Sequence, residues 1–296
     1  MALCISKIDR HERQISAAIQ EFSDNERRAL RRLSRWMAPG QLLMRGLGAS
    51  SPYAFPARVK HYDLAAFTAS SGQNRTEILV TRQRLEQHDT PALGAMINEL
   101  SSIAGVKAPA AVCLDNQLNA SIGFCDRDGN SVLVVGQPLL AVLSRDELRA
   151  VLAHELAHVA TQEGRLAASC QQLHRQCLSV SDHHHSVGHA TGGLAGELLG
   201  FITRTYARRL FTLAFPVYRK SEFAADAFAA RLCGVRPLGR ALMRIAIARW
   251  RAQTGDGHDL SDGEVLAQCL DDESGVRDIH PSLFQRLRAL GIAPRL

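Results

Sequence analysis

His154 and His158 stand four residues apart with a glutamate, Glu155, directly after the first, in the run Val151-Leu-Ala-His-Glu-Leu-Ala-His-Val-Ala160. On an α-helix, residues four apart lie one above the other, so both imidazoles can turn a nitrogen toward one metal ion. The chemistry open to this H-E-x-x-H pattern is zinc-assisted hydrolysis. Two imidazoles hold the ion, an open position keeps a water, and the carboxylate removes that water's proton as it attacks a carbonyl carbon. A catalytic zinc usually takes three protein ligands. The candidate for the third is Glu222, in Ser221-Glu-Phe-Ala-Ala-Asp226. Asp226 lies one turn further along the same helical face and can accept the outer N–H of a ligand histidine, fixing its tautomer. The alternatives are two core histidines meeting by chance and two acids that are solvated charges on a helix surface.

These side chains need helices to hold them. Ser144-Arg-Asp-Glu147 forms an S-x-x-E capping box that opens a helix with Leu148, Val151, Leu152, Leu156 and Val159 at helical spacing. One stripe of that helix is expected to be buried, with the histidines emerging on another face. The segment carrying Glu222 and Asp226 continues as an Ala-rich helix to Gly234. Before the motif, Ala110–Leu114, Ala120–Phe124 and Ser131–Val135 are short apolar runs, and Asp126–Asn130 is a hairpin turn signal, so a small sheet precedes the motif helix. Thr76–Thr81 reads as a further short strand. Thr90-Pro91 opens a helix through Ile103 that Gly105 ends. Pro237 to about Ala252 reads as an Arg-rich helix. Asp278-Ile-His-Pro281 opens the last one, with proline in its first turn and Leu283, Leu287 and Leu290 on one face.

Val151–His158 followed by Glu222-x-x-x-Asp226 resembles the gluzincin metallopeptidases of the HtpX-like heat-shock protease and CAAX prenyl endopeptidase family. Leu118-Asn-Ala120, Ser131–Val135 and Asp146-Glu-Leu148 are similar to that family's run from an Asn-Ala element through a strand into the zinc helix. His280-Pro-Ser-Leu283 with Arg286 is similar to its His-Pro…Arg segment. The resemblance covers roughly residues 93–290 and implies a zincin-like fold with one zinc ion. It also implies that Asn119, Ala120 and the strand through Phe124 grip an extended substrate backbone with low sequence selectivity. His280 and Arg286 are candidates for stabilising the developing oxyanion or binding a substrate carbonyl. The competing reading for Arg286 is an ion pair that ties its helix to an acidic neighbour, and for His280 a structural role.

The 296 residues are 46% hydrophobic and 22% charged, ordinary globular material. Aromatics are scarce at 5%, and the frequent Ala, Leu and Arg favour helices. The formal charge of +6 carries no nucleic-acid motif and few rings to stack bases, so nucleic acid is excluded as a partner. A peripheral contact with an anionic membrane is left open, either by the basic helix read over residues 7–37 or by an interfacial helix with Phe201, Phe211 and Phe215 dipping in. No run approaches the ~20 apolar residues of a membrane span. Seven cysteines, an odd and scattered set, together with a charged N-terminal start, fit a reducing cytoplasm. Between His158 and Glu222 lies an insertion whose first part, Thr161–Ser179, reads as a helix continuing the motif helix. Cys170, His174 and Cys177 on its face could join His183, His184, His185 or His189 in a second metal site, or one of these histidines could plug the zinc position.

The expectation is an α+β, mostly helical chain: residues 1–60 a helical extension and connector, residues 61–296 a zinc metallopeptidase domain with an insertion at about 161–218. It is a zinc-dependent endopeptidase acting on unfolded or damaged proteins or peptides, with His154, His158 and Glu222 on one Zn2+ per chain, Glu155 the base and Asp226 behind a histidine. The alternative is a latent or non-catalytic zinc-binding interaction protein regulated by a membrane or protein partner. Glu155 argues against a purely structural site, which has no use for that carboxylate. Oligomeric state is beyond the sequence.

Overall fold

The computed structural model describes residues 32–33, 35–36, 83–85, 91–124, 130–191, 193–254, 260–271 and 280–293, without the side chains of 83–85, 124 and 185–191. The N-terminal helix and connector read over residues 7–60, the strand Thr76–Thr81 and the turn residues 126–129 lie outside this set, apart from four residues around Leu33. Among the described residues four strands form one sheet: β1 (Gln83–Leu85), β2 (Ala111–Asp115), β3 (Ala120–Phe124) and β4 (Ser131–Gly136), in the order β1-β2-β4-β3. β2 and β4 run parallel, while β3 pairs antiparallel to β4 from Ala120↔Val135 to Phe124↔Ser131. β4 is buried at every residue. β3 is left at the sheet edge.

Helices supply the rest: α1 (Pro91–Ala104), α2 (Gln137–Val142), α3 (Arg145–Ala160), α4 (Gln162–Thr191), α5 (Leu194–Cys233), α6 (Val235–Thr254), α7 (Asp262–Asp271) and α8 (Leu283–Ala289). The chain is thus α+β and mostly helical. It divides into two compact units. One holds the described residues of Thr81–Gly164 and Arg219–Leu296, the other those of Asp24–Val80 and Arg165–Tyr218.

In the first unit the core joins Leu93, Ile97 and Leu100 of α1, Leu133 and Val135 of β4, Leu152 and Leu156 of α3, Leu238 of α6 and Leu287 of α8. Each such side chain contributes about 1.5–3 kcal/mol through removal from water. α3 is the centre of this core. Its residues from Ala150 to Ala157 are all buried, His154 and Glu155 among them, and His158 is half-buried, so His154 does not emerge on an open face as the single apolar stripe suggested. A helix surrounded by neighbours buries its polar residues too, and these must then be partnered.

The start of α3 is defined as the sequence implies. Ser144 Oγ accepts the Glu147 N–H at 3.4 Å and Glu147 Oε2 accepts the Ser144 N–H at 2.9 Å. Arg244 of α6 adds an ion pair to Glu147 at 3.4 Å. Its end is not as expected. In place of a continuing helix, Thr161 is extended at φ −84° and ψ 153°, and α4 begins anew at Gln162. The Thr161 hydroxyl donates to the Ala157 carbonyl at 2.8 Å and accepts the Gly164 N–H at 3.1 Å, so one side chain closes one helix and opens the next. The turn is tight enough that a Cβ on Gly164 would sit 2.2 Å from the His158 carbonyl oxygen. Only glycine fits there. The last helix also starts later than expected. Ser282 caps α8 through a box with Gln285, which leaves Pro281 outside the helix and not in its first turn.

Removing the cap that sets α3 tests this arrangement. Ser144→Ala should cost about 1 kcal/mol in urea denaturation with an unchanged slope. An unchanged midpoint would show that the box does not hold the helix.

Candidate metal centre

α3 and the second half of α5 bring His154, His158 and Glu222 together, each offering one ligand atom, all within 4.8 Å of one another. His154 Nε2 lies 3.7 Å from Glu222 Oε2 and His158 Nε2 lies 3.5 Å from Glu222 Oε1. The two imidazoles stand edge to face at 4.9 Å between centroids. A tetrahedral ion with bonds near 2.0–2.1 Å holds its ligand atoms roughly 3.4 Å apart, so the donor set and its spacing fit a zinc ion. Among the described residues no other group of three metal-ligating side chains meets this geometry.

Behind the donors lies a chain of buried charge. Asp226, one turn beyond Glu222, places Oδ1 2.9 Å from His154 Nδ1. Arg286 of α8 grips the same carboxylate with two hydrogen bonds, Nε to Oδ2 at 2.8 Å and Nη2 to Oδ1 at 2.6 Å, and its Nη1 is 3.9 Å from Glu222. His280 reaches the same oxygen of Glu222 that Arg286 approaches, Nδ1 to Oε2 at 2.9 Å. His158 Nδ1 is 3.1 Å from Ser221 Oγ. Each ligand therefore has a polar partner besides the other two, Asp226 for His154, Ser221 for His158 and His280 for Glu222.

The electrostatics follow from burial and these pairs. Burial pushes the Glu155 carboxyl up to about 7, the His154 charge opposing and Glu222 reinforcing the rise. Burial pulls His158 down to about 4, assisted by the charge of His154, which leaves the imidazole neutral and its lone pair available at pH 7. For His154 burial acts downward, but the hydrogen bond and charge of Asp226 outweigh it and raise the group. Burial acts upward on Glu222, yet the His280 hydrogen bond and the neighbouring cations hold it well below the usual carboxylate range. Asp226 is likewise held low against burial, by Arg286 first and His154 after it.

The remaining sequence candidates fall as follows. Ala120 is buried on β3 and Asn119 precedes it, exposed, with its carbonyl accepting the Gly136 N–H at 2.8 Å. β3 packs beside α3, and its outer edge pairs with no strand among the described residues. Arg286 and His280 touch carboxylates, Asp226 and Glu222; an acidic neighbour is one of the two readings of Arg286 from sequence, without its identity. Cys170, His174 and Cys177 belong to the second unit and form no metal cluster among the described residues. Both thiols are buried, and His174 Nδ1 is 3.0 Å from the Ala207 carbonyl. The side chains of His185 and His189 lie outside the described set. Sequence reasoning missed Ser221, Thr161 and Gly164. A Thr-x-x-Gly step just past the second histidine is a helix-restart signal that was there to read; nothing in the sequence pairs Ser221 with His158.

The model of Peptidase family M48 matches residues 53–292. The chain belongs to this family. M48 membership makes it a metalloprotease, a hydrolase acting on peptides or proteins. It is 26% identical over 222 residues to the protease HtpX homolog of Persephonella marina, covering 70% of this chain and 76% of that one. It is 30% identical over 226 residues to the protease HtpX homolog of Acidiphilium cryptum, covering 73% and 75%. Among solved structures it is similar to Ste24p of S. mikatae at 19% identity and a TM-score of 0.43, over 71% of this chain and 50% of that protein, so it spans about half of Ste24p.

In the metal-free protein Glu155, at about 7, lies above its unfolded value of about 4.3. The unfolded state then holds fewer protons between those values, and stability is lost as pH rises through the window. Metal-free Glu155→Gln should melt above metal-free wild type at pH 8, and the difference should vanish toward pH 4. A difference independent of pH would contradict a buried, hard-to-ionise Glu155.

Proposed function

We propose that this M48 peptidase is a zinc-dependent endopeptidase that cleaves unfolded or damaged proteins or peptides, with His154, His158 and Glu222 holding one zinc ion. The observation that carries the reading is the meeting of two imidazole nitrogens and a carboxylate within 4.8 Å beside a buried Glu155. When bound, zinc supplies a Lewis acid that lowers the pKa of water to near neutrality and stabilises developing negative charge.

The chain's own residues supply the rest. Glu155 takes the proton from the attacking water as its oxygen bonds to the carbonyl carbon, then delivers it to the amine nitrogen as the C–N bond breaks. Asp226 and Ser221 orient His154 and His158 through their outer nitrogens, and His280 holds Glu222 from the side away from His158. Arg286 is a positioning residue that acts through Asp226. The outer edge of β3, from Asn119 and Ala120, offers backbone N–H and C=O groups to an extended substrate, which favours unfolded chains over a particular side-chain sequence.

In this reading residues 61–296 make up the peptidase with its insertion at about 161–218, and residues 1–60 an extension. The buried thiols of Cys113, Cys170 and Cys177 support a reducing, cytoplasmic setting. A non-catalytic zinc protein is disfavoured by Glu155, whose burial costs free energy that a structural site does not repay.

The test is hydrolysis of casein by zinc-loaded wild type and Glu155→Gln, with bound metal measured in both. Wild type should cleave. The variant should keep one zinc and lose at least about a hundredfold in rate, the usual worth of a positioned acid–base group. Equal rates would remove Glu155 from the mechanism, and absence of cleavage by a zinc-loaded wild type would overturn the peptidase reading in favour of the latent or non-catalytic one.

A further inference from the structure

The part of α5 that belongs to the second unit buries Gly200, Thr203, Ala207, Leu210 and Ala214 along one side. The opposite side of a surface helix ordinarily carries charge. Here it begins with Leu194, Leu198, Phe201 and Ile202, which are 82%, 60%, 68% and 46% exposed and fall on one face by their spacing, with the exposed Glu197 at its border. The same face continues as Thr205, Arg208, Arg209 and Thr212, all exposed. Phe211 and Phe215, expected from the sequence to join the apolar face, are half-buried instead.

Two further features of this unit bear on the patch. Trp36, 39% exposed, lies with its ring 5.6 Å from that of Tyr206, whose hydroxyl bonds the Trp36 carbonyl, and Arg32 and Arg35 are exposed beside it. The exposed charges on and beside this face, among the described residues, are Arg208 and Arg209 on α5 and Arg32 and Arg35 next to Trp36, against Glu197. The partner of this face is therefore anionic and also able to take up four large apolar side chains.

We propose that the Leu194–Arg209 face of α5, with Trp36 at its side, seats this protein on the surface of an anionic lipid bilayer. Leu194, Leu198, Phe201 and Ile202 enter the acyl boundary, while Trp36 and Tyr206 sit at headgroup level and Arg208 and Arg209 meet lipid phosphates. Nucleic acid would match the charge but leave the exposed leucines, phenylalanine and isoleucine in water. The contact lies along the surface, since no helix among the described residues is long and apolar enough to cross a membrane.

The experiment is co-sedimentation of full-length, zinc-loaded protein with phosphatidylcholine vesicles with and without phosphatidylglycerol. Wild type should bind the anionic vesicles and release them in high salt. Leu198→Ser/Phe201→Ser and Arg208→Glu/Arg209→Glu should each weaken that binding by more than about tenfold while casein hydrolysis is unchanged. In a Trp250→Phe background, Trp36 should be quenched by lipids brominated near the headgroup end of the chain. Three results would overturn the proposal: equal binding to neutral vesicles, binding untouched by both pairs of substitutions, or no vesicle binding together with a dimer, or a nucleic-acid complex, that either pair dissolves.

Discussion

The pairing of Asp226 with Arg286 underlies the whole centre. A carboxylate this deeply buried is expensive to ionise, and two hydrogen bonds from one guanidinium make it tolerable. That pairing leaves Asp226 ionised and able to accept from His154, which turns the far nitrogen of the imidazole toward Glu222. It also draws α8 against α5, and with it the His280 that reaches Glu222. Loss of either member would strand a buried charge, which typically costs 3–5 kcal/mol. Stability and ligand orientation therefore rest on the same contact.

α3 supplies the other half. Its register is set at one end by the Ser144–Glu147 box and at the other by Thr161, so His154 and His158 stand on a helix that cannot slide. The approach of Gly164 to the His158 carbonyl lets the next helix begin within three residues of the second histidine. Burial on all sides then does chemical work on the motif. It keeps His158 neutral and raises Glu155, while the polar partners of Glu222 keep that carboxylate ionised. One helix thus carries a neutral donor ready for a metal and, beside it, a carboxyl that burial raises in the metal-free protein.

Much of this was legible in the residues. H-E-x-x-H, the capping box before it and the Glu222–Asp226 pair are short-range patterns whose helical geometry follows from spacing alone, and the three strands before α3 show in their apolar runs. The meeting of α3 with α5 across more than sixty residues was legible only because zinc chemistry requires a third ligand. What escaped depends on tertiary contacts: which hydroxyl faces His158, which carboxylate His280 reaches, and that Arg286 clasps Asp226. The restart at Thr161 was legible only in its Thr-x-x-Gly step, since helix-forming residues flank it on both sides and a single threonine hydroxyl outweighs them. Pro281 was misplaced by one motif, since a serine cap directly after it sets the helix start.

The measurement closest to the central claim is X-ray absorption at the zinc edge of the loaded protein, paired with metal content of Glu222→Ala. The account predicts one zinc per chain in a shell of nitrogen and oxygen near 2.0–2.1 Å, with two imidazoles and no sulfur, and a variant that binds metal at least about tenfold more weakly. A sulfur shell near 2.3 Å, or zinc held as tightly without the Glu222 carboxylate, would place the metal elsewhere and contradict it.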